Sequence, residues 1–132
     1  MSTRSTIAIA NEDESLITAI YCHFDGYPEG VGAVLSQHYT DPAKIHALMQ
    51  LGNLSYIGPE LGVQQDFDAK DKDRNQCLAY GRDRGETGQE ATQHPSVEEW
   101  IVHYLYQSCE YGYLFTNGEW VVFGEVETFI LS

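Results

Sequence analysis

The sequence predicts an α+β fold: an antiparallel sheet of four to six strands with about three helices packed on one face, in two layers. Three observations carry this. Two β-rich runs flank a polar turn at 11–15, and two more flank Asn117-Gly118, so tight turns join neighbouring strands as an antiparallel sheet requires. Three segments between them carry apolar residues at helical spacing. The 132 residues, 42% of them hydrophobic, suffice for one core, so 1–132 reads as a single domain.

The elements follow in order. Residues 4–10 and 16–24 are rich in β-formers, and Asn11-Glu12-Asp13-Glu14-Ser15 reads as the turn between them. Asp25-Gly26-Tyr27-Pro28 breaks the second strand. Val31, Val34, Leu35 and His38 fall on one helical face, with Gly30 and Gly32 weakening its first turn. Asp41-Pro42 starts a second helix, an acid cap before a proline whose missing N–H costs nothing there. Ile45, Leu48 and Met49 supply its buried stripe, and Gly52 ends it. Residues 54–62 read as an ordered loop, 64–76 as an exposed one, 77–80 as a short strand and 81–95 as another loop. Ser96-Val97-Glu98-Glu99 is a capping box, and Val97, Trp100, Ile101, Tyr104 and Leu105 trace the face of a third helix. Strands at 110–115 and 119–124 surround Asn117-Gly118, the strongest short hairpin signal. The stretch 126–131 is apolar enough to add a strand.

Composition excludes several classes. Sixteen aromatic residues argue against disorder. No apolar run is long enough for a membrane span, so no membrane partner is expected. Twenty acids against seven bases leave a net charge of −13, which argues against direct nucleic-acid binding. All seven bases lie within residues 1–84, and residues 85–132 hold eight acids with no Lys or Arg. The three separated cysteines, Cys22, Cys77 and Cys109, read as reduced thiols of a cytosolic protein, and the first residues carry no secretory h-region.

Two clusters carry candidate chemistry. Tyr21, His23 and Asp25 fall on one side of a strand, since side chains alternate, and Tyr27 follows. His23 with Asp25 forms a candidate acid–base pair or pocket wall, against the blander reading of a histidine that fixes the turn. Cys22 faces away and packs with Ile20 and Leu16 on this reading. Arg82-Asp83-Arg84 could grip an anion, against the blander reading of an internal salt-bridge loop. The spacing Asp71, Asp73, Asn75 begins like a calcium loop, but Gln76 and Arg82 stand where glycine and a bidentate glutamate are needed. No zinc spacing or nucleotide-loop motif occurs, so neither metal nor cofactor is expected. His38 and His103 read as packing residues.

Several runs in the same order resemble a family of small tailed-phage and prophage proteins. They are Arg4-Ser5-Thr6-Ile7-Ala8, Ile20-Tyr21-Cys22-His23-Phe24-Asp25-Gly26-Tyr27-Pro28, Gly32, Leu35, His38-Tyr39, Leu51-Gly52-Asn53-Leu54-Ser55, Tyr80-Gly81-Arg82-Asp83-Arg84-Gly85-Glu86 and Tyr113-Leu114-Phe115. The resemblance brings no catalytic residues with it. It implies a phage accessory protein in the cytoplasm of a bacterial host, of the kind that binds and blocks host machinery.

The leading expectation is therefore a non-enzymatic acidic protein that blocks a host nucleic-acid-binding defence protein, as an anti-CRISPR or anti-restriction factor does. Its basic partner would meet Glu98, Glu99, Glu110, Glu119, Glu125 and Glu127, carboxylates standing where phosphates would sit. The alternative is a small-molecule protein or weak enzyme in which Tyr21, His23, Asp25 and Tyr27 line a pocket and Arg82 and Arg84 hold a nucleotide or other anion. A third reading is a homodimer or assembly protein associating through Tyr111, Tyr113 and Trp120.

Overall fold

A computed structural model describes residues 2–124 and the strand at 128–130. The elements are β1 (Ser5–Ala10), β2 (Ile17–Cys22), α1 (Ala33–His38), α2 (Pro42–Leu51), β3 (Leu54–Tyr56), β4 (Leu78–Ala79), α3 (Tyr80–Arg84), β5 (Thr92–His94), α4 (Val97–Tyr104), β6 (Tyr111–Thr116), β7 (Glu119–Phe123) and β8 (Thr128–Ile130). A wider π-type turn over Pro28–Gly32 leads into α1. One sheet runs in the order β4-β3-β2-β1-β6-β7-β8, with β5 on the same flank of β2 as β3. The class is α+β, as the sequence predicts.

Two finer features differ. The sheet is mixed, since β1 pairs with β6 in parallel and β2 with β3 in parallel. The helices also lie on both faces. Ile7, Ile9 and Ile20 meet the first helices through Leu35, Ile45 and Leu48, whereas Ala8, Ile17 and Ala19 meet Trp100 and Tyr104 of α4. One cause explains both corrections. Parallel neighbours need a crossover, usually a helix. α1 and α2 carry the chain from β2 to β3, and α4 carries it from β5 to β6, each covering the face it crosses. β5 is the element the sequence conceals: three residues, Thr92–His94, inside a segment that reads as loop.

Other expectations hold locally. Asp41 Oδ1 accepts from the Ala43 amide at 3.0 Å and starts α2. Ser96 Oγ accepts from the Glu99 amide at 3.1 Å and starts α4. Asn117 and Gly118 both have positive φ, 52° and 78°, the geometry of a type I′ turn. Gly112 on β6 lets the α4 side chains come close: a Cβ there would stand 2.9 Å from Leu105 Cδ1 and 3.1 Å from Trp100. β3 and α3 lie in segments read as loops, and β4 is shorter than the strand expected at 77–80.

Buried aromatic side chains hold the layers together through their polar tips. Trp100 Nε1 donates to Thr6 Oγ1 at 3.1 Å, Trp120 Nε1 to the Tyr39 carbonyl at 2.8 Å, and Tyr113 Oη to the Gly26 carbonyl at 2.6 Å. Tyr113 and Trp120 are therefore core residues and Tyr111 is half-buried, which corrects their reading as exposed contacts for a homodimer.

Candidate functional site

β2 ends at Cys22, but its backbone continues to bond β3: the His23 amide donates to Leu54 O and the Phe24 amide to Ser55 O, both at 3.0 Å. Tyr21 and His23 remain on one side, and Tyr21 Oη lies 2.7 Å from His23 Nδ1. Burial pushes the Tyr21 phenol up to about 12. Burial, then Arg4, holds the His23 imidazole below its usual value.

Asp25 does not join them. Its φ of 60° turns the chain out of the alternation, so the carboxylate accepts from Tyr27 Oη at 3.2 Å and lies 3.6 Å from Arg74 Nη2. The expected His23–Asp25 pair is thus not assembled. Cys22 packs with Ile20 in the core, as expected, while Leu16 is exposed. Burial raises all three thiols, at Cys22, Cys77 and Cys109, and they are free.

Two clefts share Phe24, Asp25 and Tyr56. The smaller, about 200 Å³, adds Glu29, Val34 and His38. The larger, about 450 Å³, adds Ser55, Phe67, Lys72, Arg74 and Leu78. The Arg74 guanidinium stacks 4.1 Å from the Tyr56 ring centre. Tyr56 is 4% exposed, and its hydroxyl is buried without a hydrogen-bond partner. Lys72, Arg74, Tyr56 and Phe67 were not marked by the sequence. The alternation Asp71, Lys72, Asp73, Arg74 was the available signal, but it reads as a solvated face until the loop is folded over β3.

Arg82 and Arg84 form no anion clamp. Arg82 donates to the carbonyls of Leu61 at 2.9 Å and Cys77 at 2.8 Å, and its Nε pairs with Asp83 at 3.0 Å. Asp83, buried, also accepts from the amides of Gln65 and Ala79, both at 2.8 Å. Arg84 pairs with Glu86 and lies 4.4 Å over Phe67. This is the internal salt-bridge loop, clipping 61–65 and 77–79 to α3.

The predicted acids separate. Thr116 Oγ1 donates to Glu14 Oε2 at 2.7 Å, which joins the β1–β2 turn to the β6–β7 turn. Ile17 opposes His94, so the cap of α4 lies at the same end of the sheet. Glu98, Glu99 and Glu119 therefore share this end with Glu12, Asp13 and Glu14, which the sequence did not single out. All but the half-buried Glu14 are exposed, and no Lys or Arg occurs in 11–17, 94–99 or 116–119. Glu110 lies at the other end, its amide donating to Arg4 O at 2.9 Å. Glu125 and Glu127 lie outside the described residues.

A further polar group joins β5 to α4. Thr92 Oγ1 is 2.8 Å from His94 Nε2 and 2.7 Å from Tyr104 Oη, and the His103 ring lies 4.9 Å from that of His94. His38 and His103 are both exposed, contrary to their reading as packing residues. Among the described residues no three metal-ligating side chains converge, and no helix is long and apolar enough to cross a membrane. Comparison with known proteins finds no matching family model, no matching curated protein and no matching solved structure.

Proposed function

We propose that the protein is a non-enzymatic binding protein of phage origin, acting in the cytoplasm of its bacterial host. Its acidic end occupies the basic nucleic-acid groove of a host defence protein, of the CRISPR or restriction kind. The observation that carries this reading is the gathering of Glu12, Asp13, Glu14, Glu98, Glu99 and Glu119 at one end of the sheet, with no base in the segments that bear them. Such a concentration of one sign steers a basic partner and competes with phosphate for it. Three of the bases elsewhere are engaged within the fold: Lys44 donates to the His38 and Pro59 carbonyls, and Arg82 and Arg84 pair internally.

Capture from host lysate tests this. The protein should retain a nucleic-acid-binding partner at low salt, lose it at high salt, and release it to added duplex DNA or RNA. The variant Glu12→Gln/Glu98→Gln/Glu99→Gln/Glu119→Gln should melt within a few degrees of wild type and fail to retain the partner. Retention that survives high salt, or that the variant keeps, overturns the reading.

A further inference from the structure

The larger cleft beside β3 departs from the rest of this acidic molecule. Lys72 and Arg74 line it against a single carboxylate, Asp25, and Phe24 and Phe67 supply apolar walls. Phe24 is 42% exposed, although large apolar side chains gain by burial. Arg74 is held loosely: it stacks on Tyr56, its nearest carboxylate oxygen is 3.6 Å away, and its side chain is 67% exposed.

Beneath it lies the independent sign of a ligand. The Tyr56 hydroxyl is buried with no partner, on a side chain that lines the cleft and is 4% exposed. Buried polar groups are nearly always paired, so an orphan hydroxyl needs a reason. Burial pushes the Tyr56 phenol up, and the Arg74 guanidinium stacked on its ring opposes that push.

We propose that this cleft binds a small ligand joining an aromatic ring to a phosphate, of the nucleoside monophosphate class. The phosphate pairs with Arg74 and with Lys72, whose ammonium donates to the Ala69 carbonyl at 2.7 Å and has further N–H groups to offer, and it accepts from the Tyr56 hydroxyl, while the ring covers Phe24 and Phe67. Arg74 exchanges its long contact with Asp25 for a phosphate oxygen, a charge-assisted bond that Asp25 at its present distance does not supply. The site is independent of the acidic end and of the partner proposed for it.

The test is a titration of the full chain with adenosine monophosphate, uridine monophosphate, adenosine and inorganic phosphate, followed by amide chemical shifts and calorimetry. The monophosphates should shift residues 24, 56, 67, 72 and 74. Adenosine and inorganic phosphate should each bind at least tenfold more weakly. Arg74→Ala and Lys72→Ala should each weaken binding about tenfold, while Lys70→Ala, a charge on the same loop that does not line the cleft, should leave it unchanged. Tyr56→Phe provides the sharpest readout: it should raise the melting temperature of the free protein, because an unpaired hydroxyl is gone, and still weaken binding. No shift with either monophosphate overturns the site. Equal binding of inorganic phosphate overturns its aromatic half, and an unchanged affinity in Tyr56→Phe overturns the role of the hydroxyl.

Discussion

At the scale of single residues, two arginines two positions apart differ in kind. Arg82 is mostly covered and answers a buried carboxylate and two carbonyls, whereas Arg84 pairs with Glu86 in the open. Removing Arg82 leaves the buried Asp83 carboxyl without its ion-pair partner, with only the Gln65 and Ala79 amides bonded to it. Arg82→Ala is expected to cost about 3 kcal/mol in urea unfolding, and Arg84→Ala less than about 1 kcal/mol. A histidine supplies the pH dependence. Burial, then His103, holds His94 below its usual 6.5, while Glu99 opposes them; its ring also meets Tyr104 and Thr92. The unfolded chain therefore binds the proton more readily than the folded one. Stability from this source is complete above about pH 7 and declines as pH falls through 6.5 toward the lower folded value. Between pH 7 and pH 5 the wild type is expected to lose melting temperature relative to His94→Gln.

At the scale of elements, legibility followed the range of the forces involved. Asp41, Ser96 and Asn117-Gly118 act on their own neighbours, so caps and turns declared α2, α4 and the last hairpin in advance. Ser96→Ala should accordingly lower stability by about 1 kcal/mol, measured by denaturant melts. Gly118→Ala should cost a similar amount, about 1 kcal/mol, since φ of 78° strains any Cβ. β5 has three residues and no apolar alternation of its own; it exists because β2 offers it an edge. Without β5 the crossover through α4 could not be seen, and neither could the parallel pairing of β1 with β6 or the second helical layer. The candidate site was half legible for the same reason. Asp25 was marked, though as a partner of His23 on one strand face, while Arg74, Lys72 and Tyr56 come to it from a loop and a short strand remote in sequence.

At the scale of the whole molecule, the excess of carboxylate sets the response to salt. The acidic end brings Glu14 to Thr116 and places Glu12, Asp13 and Glu119 around that contact, so like charges oppose the closure of the two turns. Raising the salt concentration should screen them and raise the melting temperature. Glu12→Gln/Glu119→Gln should start higher at low salt and rise less. The charge total could be read directly from composition, but its concentration at one end depends on strand register.

The pairing of β1 with β6 has a consequence for synthesis. The middle of the sheet is closed by residues 5–9 lying beside residues 111–115. A growing polypeptide leaving the ribosome therefore carries its first hairpin with one flank open until residues 111–115, about a hundred positions later, have been made. Closing so long a loop is slow compared with forming local contacts. Nascent chains that stop before residue 111 should collect on chaperones or clump together, and the sheet should snap shut only once residues 111–115 have emerged.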